Sequence, residues 1–172
     1  MSVVVRAAQV PDAPLLAAFA ERTFRDTYAA ENTPGDLDRY VAEHFGVRRQ
    51  EAELRDERML TLLAEVDGQV VGYAQLARGP APAGVAGAAP VELVRFYVDR
   101  PWHGRGVAAP LMDAVAAAGR SAGAGTLWLG VWERNPRAIA FYRKCGFEES
   151  GSQIFVMGAD HQHDLVLARP LG

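Results

Sequence analysis

The stretch Val91–Gly119, VELVRFYVDRPWHGRGVAAPLMDAVAAAG, decides the fold. Val91, Leu93, Arg95 and Tyr97 fill one face of its first part and Val94, Phe96 and Val98 the other, so it reads as a central strand covered on each side and ended by Pro101. From Gly106 the residues Val107, Ala108, Leu111, Met112, Val115 and Ala116 recur at helical spacing. A strand, a turn holding Gly104 and Gly106, and a helix start thus follow one another directly. Two glycines let a backbone approach a ligand with no Cβ in the way. The free N–H groups and positive end of the helix then favour an anion such as pyrophosphate. Arg105 adds a forked, charged donor beside them.

The chain has 172 residues, 49% of them hydrophobic, which suits a single domain spanning 1–172 with one sheet and helices laid on it. A net charge of −3 with no basic face argues against nucleic acid as a partner. Cys145 stands alone, so no intramolecular disulfide can form, and at a helix end in FYRKCGF it reads as a small buried hydrophobe. The start, MSVVVRAAQV, lacks the apolar core of a signal peptide, and no run approaches the ~20 apolar residues of a membrane span. A cytoplasmic protein with no membrane partner is the expectation.

Working outward, Val3–Ala8 reads as a first strand, and Asp12 caps a helix carrying Leu15, Leu16, Phe19 and Phe24 inward to about Ala30. Thr33, Pro34 and Asp36 open a second helix with Leu37, Tyr40, Val41 and Phe45 on one face, and Val47–Asp56 is a third helical piece. Met59–Val66 and Gln69–Arg78 flank Asp67-Gly68, the turn chemistry of a two-residue hairpin. GPAPAGVAGAAP, Gly79–Pro90, has no periodicity and no charge, and is expected to be a mobile loop. Thr126–Trp132 is a fifth strand; Asn135 caps a short helix to Cys145, closed by Gly146; Gln153–Met157 and Leu165–Arg169 complete the sheet. Between them HQHD, with His161 and His163, reads as a solvated hairpin turn, and no metal site is expected there. The order predicts an α/β mixed sheet of seven strands with helices on both faces.

Gly104, Gly106 and Ala109 match G-x-G-x-x-A, with Glu133 ending the next strand, but Asp99–His103 intervene before the first glycine and only one helix follows Glu133. No Gly-Lys-Ser/Thr follows the glycines, which excludes a Walker loop. VDRPWHGRGVA instead resembles the acetyl-CoA pyrophosphate loop of the GNAT acetyltransferases, Gln/Arg-x-x-Gly-x-Gly/Ala, matched by Gly106 and Ala108, with His103 where the family usually has Gln or Arg. NPRAIAFYRKCGF is similar to the family's later motif, which flanks the pantetheine arm. LGVWERN, ERTFRDTYAAENTP and the tail around Phe155, Met157, Gln162 and Asp164 extend the resemblance to the PaiA-type spermidine/spermine N-acetyltransferases.

The resemblance implies a GNAT fold with splayed central strands, acetyl-CoA (coenzyme A) as cofactor, and transfer of an acetyl group to a small-molecule amine by direct attack. It implies cofactor contacts at Phe96, Tyr97, Val98, His103, Gly104, Arg105, Gly106, Val107, Ala108, Asn135, Ala138, Phe141 and Tyr142. Val98 would offer its amide to the thioester oxygen, or be an ordinary ladder residue. Tyr142 would protonate the departing thiolate, or be a packing tyrosine that touches the cofactor. A protonated amine must lose a proton before attack, and because many GNAT enzymes place a carboxylate at the start of the central strand the resemblance makes Glu92 the candidate base, with Glu133 the reserve, against a solvated strand-end glutamate.

The resemblance implies that the helix-turn-helix of residues 21–43 walls the acceptor site, which makes Phe24, Tyr28 and Glu31 candidate acceptor contacts, with Trp132 at the end of its strand; the six acids there, Glu21, Asp26, Glu31, Asp36, Asp38 and Glu43, against Arg22, Arg25 and Arg39, suit a cation or are a solvated helix face. A polyamine is the first candidate acceptor. Another small amine, a peptide N-terminus or a non-catalytic acyl-CoA sensor are the alternatives, and a homodimer is left open.

Overall fold

The computed structural model describes all of residues 1–172. The elements are β1 (Val3–Ala7), α1 (Ala13–Tyr28), α2 (Pro34–His44), α3 (Val47–Arg55), β2 (Met59–Val66), β3 (Gln69–Arg78), β4 (Pro90–Val98), α4 (Ala108–Ser121), β5 (Thr126–Trp132), α5 (Pro136–Lys144), β6 (Glu148–Met157) and β7 (Asp160–Pro170). They form one seven-stranded sheet in the order β1-β2-β3-β4-β5-β7-β6, with the β4–β5 pair parallel and every other pair antiparallel. Asp67 and Gly68 both take positive φ, 50° and 78°, as a tight turn joining twisted strands requires, and Val66 faces Gln69 across it.

Alternation along β2 divides the core. Leu62 and Ala64 join the larger cluster with Leu111, Met112 and Val115 of α4 and Ile139 and Tyr142 of α5. Leu63 joins the smaller one with Phe19 and Phe24 of α1 and Leu37 and Val41 of α2. Helices therefore cover both faces, each burying one apolar stripe. No helix is long and apolar enough to cross a membrane.

Several local expectations change. Leu15 is 46% exposed, because the inward stripe of α1 runs through Leu16, Phe19, Ala20 and Phe24. Asp12 stands at the helix start, but its carboxylate accepts from the Gln9 amide and from Arg6. The loop before β4 is irregular but not loose: Gly84 lies against the Ser150 carbonyl and Gly87 against the Thr126 hydroxyl so closely that neither leaves room for a Cβ. His161 and His163 lie inside β7, opposite Val156 and Ile154, and the chain reverses earlier, between Met157 and Asp160. Polar residues on both faces of this strand, with Gln162 and Asp164 buried and the two histidines exposed, give HQHD the look of a turn.

Under the sheet, Glu53 of α3 accepts from Arg95 at 2.8 Å, from Gln75 at 2.9 Å and from Arg49 at 3.0 Å, tying α3 to β3 and β4. Burial alone would raise its carboxyl. The Arg95 charge and the hydrogen bonds from Arg95, Gln75 and Arg49 outweigh it and hold the group below the usual range. Glu53→Gln leaves the Arg95 charge buried without a counter-ion, so urea denaturation at neutral pH should show a loss of about 2 kcal/mol. Because the folded pKa is depressed, this stabilisation is present above the ordinary glutamate pKa of about 4.3 and is lost as pH falls through the folded value. The two proteins should converge in acid.

Candidate active site

β4 and β5 pair only from Pro90–Glu92 to Thr126–Trp128, and then part. The cause lies partly in β4: Gln75 faces Arg95 while Leu76 faces Leu93, so Val94 is an extra residue that bends the strand and comes out 36% exposed. The covered central strand expected from sequence is thus covered only in its first half. Asp99 N–H donates to the Val71 carbonyl at 2.8 Å. By the alternation of an antiparallel ladder, the backbone groups of Phe96 and Val98 turn away from β3 into the gap that β5 has left. A cleft of about 770 Å³ opens there.

At its far end lies the glycine loop. Gly104 and Gly106 have φ of 74° and 79°, with nothing within 4 Å of where a Cβ would stand. Among the amides of Gly104, Gly106, Val107, Ala108 and Ala109 none donates to a backbone carbonyl, since the first helical bond of α4 runs from Leu111 to Val107. Five free donors around an open concavity at the start of a fourteen-residue helix suit a pyrophosphate. The His103 ring braces this loop: Arg137 donates to Nδ1 at 2.6 Å, which leaves the ring proton on Nε2 to donate to the Val98 carbonyl at 2.7 Å. Arg105 is not part of the lining; its guanidinium lies 5.6 Å over the Trp102 ring.

The wall opposite β4 is α5. Asn135 caps it, accepting from the Ala138 amide at 3.2 Å, and Pro136 fills its first position. Asn135, Ala138, Phe141 and Tyr142 all line the cleft. The Tyr142 ring is wedged among Phe96, Phe141 and Phe147, at 6.1, 5.6 and 5.7 Å between centroids. Burial pushes its phenol well above the usual tyrosine range. Cys145, half-buried beside it, is also pushed up by burial, which suits a packing thiol rather than a nucleophile.

The third wall is the end of α1. Tyr28 and Glu31 line the cleft with Trp132, the Tyr28 and Trp132 rings lying 5.4 Å apart. Phe24 does not reach it: at 3% exposure it packs between Tyr28, Tyr40 and Phe45 in the smaller core. Glu92 is also away from the cleft, at the closed end of the fork where it pairs with Trp128, and burial raises its carboxyl. Glu133 faces a small side pocket with His161 and His163.

Of the six acids counted in residues 21–43, only Asp26 and Glu31 line the cleft, and Glu31 is held by Arg134 at 3.1 Å. Glu21 and Asp38 are both taken by Arg25, at 3.0 and 2.8 Å. Sequence reading missed the cations: Arg100, Arg137 and Lys144 line the cleft, beside Arg95 and Arg134, which are paired with Glu53 and Glu31. Their signal was available, since Arg137 and Lys144 stand seven residues apart, close to one helix face, within the motif already singled out.

A model of the acetyltransferase (GNAT) family matches residues 21–147. The chain is 39% identical over 160 residues to an uncharacterized N-acetyltransferase of Mycobacterium tuberculosis, covering 93% of this chain and 98% of the relative. It is 29% identical over 160 residues to one of Lactobacillus delbrueckii subsp. lactis, covering 93% and 92%. Among solved structures it resembles the PaiA N-acetyltransferase from Thermoplasma acidophilum in complex with coenzyme A, with a TM-score of 0.81 at 20% identity over 99% of each chain.

Proposed function

The chain belongs to the GNAT acetyltransferase family, and from that premise we propose that its acceptor is a small amine that is cationic in solution, a polyamine such as spermidine or spermine first among them. Residues 1–172 would act as one acetyltransferase domain. The observation that carries the reading is the cleft itself, whose lining joins the free amides of the glycine loop with the aromatic pair Tyr28 and Trp132 and the carboxylate of Asp26.

Acetyl-CoA supplies an acetyl group already activated as a thioester. The amides of Gly104 and Gly106 to Ala109 would hold its pyrophosphate, with Arg100, Arg137 and Lys144 supplying charge. Phe96 and Val98 would bond the pantetheine arm through their backbone, with Ala138 and Phe141 against its other side. The Val98 amide is the donor for the charge that develops on the thioester oxygen. Tyr142 presents a phenol to the departing sulfur. No activated nucleophile lines the cleft, so the amine would attack directly, with Tyr28, Trp132 and Asp26 to receive it from the α1 side.

A thiol-release assay over spermidine, an aminoglycoside and a peptide with an apolar N-terminus tests this. Spermidine should be turned over, with kcat/KM falling several-fold from low to high ionic strength, because screening weakens attraction of a multivalent cation to the Asp26 carboxylate of the lining. Efficient, salt-insensitive acetylation of the peptide with none of spermidine would overturn the polyamine reading.

A further inference from the structure

The His103 ring joins three parts of the cleft: the end of β4, the glycine loop and α5. The Val98 carbonyl turns away from β3 into the gap that β5 has left, so no strand supplies it with a donor. His103 does, through Nε2 at 2.7 Å. This closes the stretch from Val98 to His103, which is already tightened by Trp102 N–H on the Asp99 carbonyl at 2.8 Å and Arg100 N–H on the Asp99 carboxylate at 3.1 Å. The peptide joining Val98 to Asp99 is thereby held at both edges, its oxygen by His103 and its nitrogen by the Val71 carbonyl. With that peptide fixed, the Val98 N–H one peptide back keeps a single direction into the cleft.

The other ring nitrogen, Nδ1, accepts from Arg137 in the first turn of α5 at 2.6 Å. Arg134 and Arg143, before and after it, pair with Glu31 and Glu149, whereas Arg137 has only this neutral ring. A cation in the first turn of a helix also lies at the positive end of the macrodipole. An arginine kept there on the cleft wall, without a carboxylate, suits an anion that the ligand brings. Both contacts of the ring need one donor and one acceptor on the same side chain. Glutamine carries that pair too, and leucine carries neither.

Resting on the roles proposed above for the Val98 amide and Arg137, we infer that His103 is a positioning residue with two separable effects: it aims the Val98 amide at the thioester oxygen, and it holds the Arg137 guanidinium at the pyrophosphate loop.

The test measures single-turnover thiol release with an amine substrate and binding of coenzyme A by calorimetry. His103→Leu should lower kcat about tenfold and weaken coenzyme A binding about fivefold, since a small misplacement of a donor is costly and a charge contact is loosened. His103→Gln should recover most of both losses. A wild-type kcat in the leucine variant, or equal damage from leucine and glutamine, overturns the proposal. Arg137→Leu separates the two effects: adding His103→Leu to it should weaken coenzyme A binding little further but still lower kcat about tenfold. Additive losses of affinity mean that His103 does not act through Arg137, and overturn the proposal. Should the variants fail to fold, NMR of the wild-type protein loaded with coenzyme A decides. The His103 Nε2 proton, held by the Val98 carbonyl, should give a slowly exchanging resonance, and a ring proton lost to fast exchange with water overturns the proposal. If no amine is acetylated, the enzyme reading falls by itself, and calorimetry and NMR still judge His103.

Discussion

Replacing Gly106 by valine is expected to weaken acetyl-CoA binding about a hundredfold in calorimetry while leaving the fold in place, a change worth about 2.7 kcal/mol. Two effects combine. Gly106 holds φ at 79°, where a β-branched residue is strained, so the loop would relax toward a conformation that no longer aims its amides together. The space beyond its Cα is open, so an isopropyl group meets no protein atom within 4 Å and instead occupies the concavity the free amides face. Since no core contact is lost, far-UV circular dichroism and the melting temperature without ligand should change little. Gly106→Ala separates the two effects, because it keeps most of the backbone strain and removes most of the bulk; its loss should be several-fold smaller. Undiminished affinity in the valine variant removes this loop from cofactor binding.

The parts of this molecule that could be read from sequence are those where one residue type meets one local requirement. Asp67-Gly68 demands a left-handed two-residue turn, and the turn sets the register of β2 on β3. Thr33 and Asn135 cap the helices they were expected to cap. The bulge at Val94 left no such mark, since VELVRFYV is equally apolar with or without an extra residue, and only the shifted pairing with Gln75 and Leu76 reveals it. That bulge helps to open the cleft only beyond Glu92, so the carboxylate that the family resemblance offered as the base stays at the closed end of the fork.

Phe24 and Tyr28 lie four residues apart on one helical face and look interchangeable as acceptor contacts. The packing of α2 covers the first with Tyr40 and Phe45 and leaves the second at the rim. The local charge count failed for a similar reason. Glu31 finds its partner Arg134 more than a hundred residues away, and no window on the sequence shows that such an acid is already satisfied.

Tyr142→Phe should lower kcat about a hundredfold while leaving acetyl-CoA affinity nearly unchanged, read by single-turnover thiol release and by calorimetry. The ring is fixed by Phe96, Phe141 and Phe147, so phenylalanine fills the same space and the substitution removes only the hydroxyl. What that hydroxyl does follows from its surroundings. Burial keeps the phenol protonated far above neutrality, whereas an ordinary thiol ionises near pH 8.5, so complete transfer of the phenol proton to a finished thiolate runs uphill. On the reading proposed here, the phenol would act instead as a donor held against the sulfur while negative charge builds on it, an interaction stronger in the transition state than in the bound thioester. This account carries a sign. Because the folded pKa is raised, the phenol stays a donor across the working range, and the wild-type kcat should show no loss from phenol ionisation up to about pH 10, the ordinary tyrosine value. A descending limb in wild-type kcat well below pH 10, absent from Tyr142→Phe, would mean that the phenol ionises early and that burial does not govern it. A wild-type rate in Tyr142→Phe would leave the sulfur to be protonated by water and reduce Tyr142 to a packing residue.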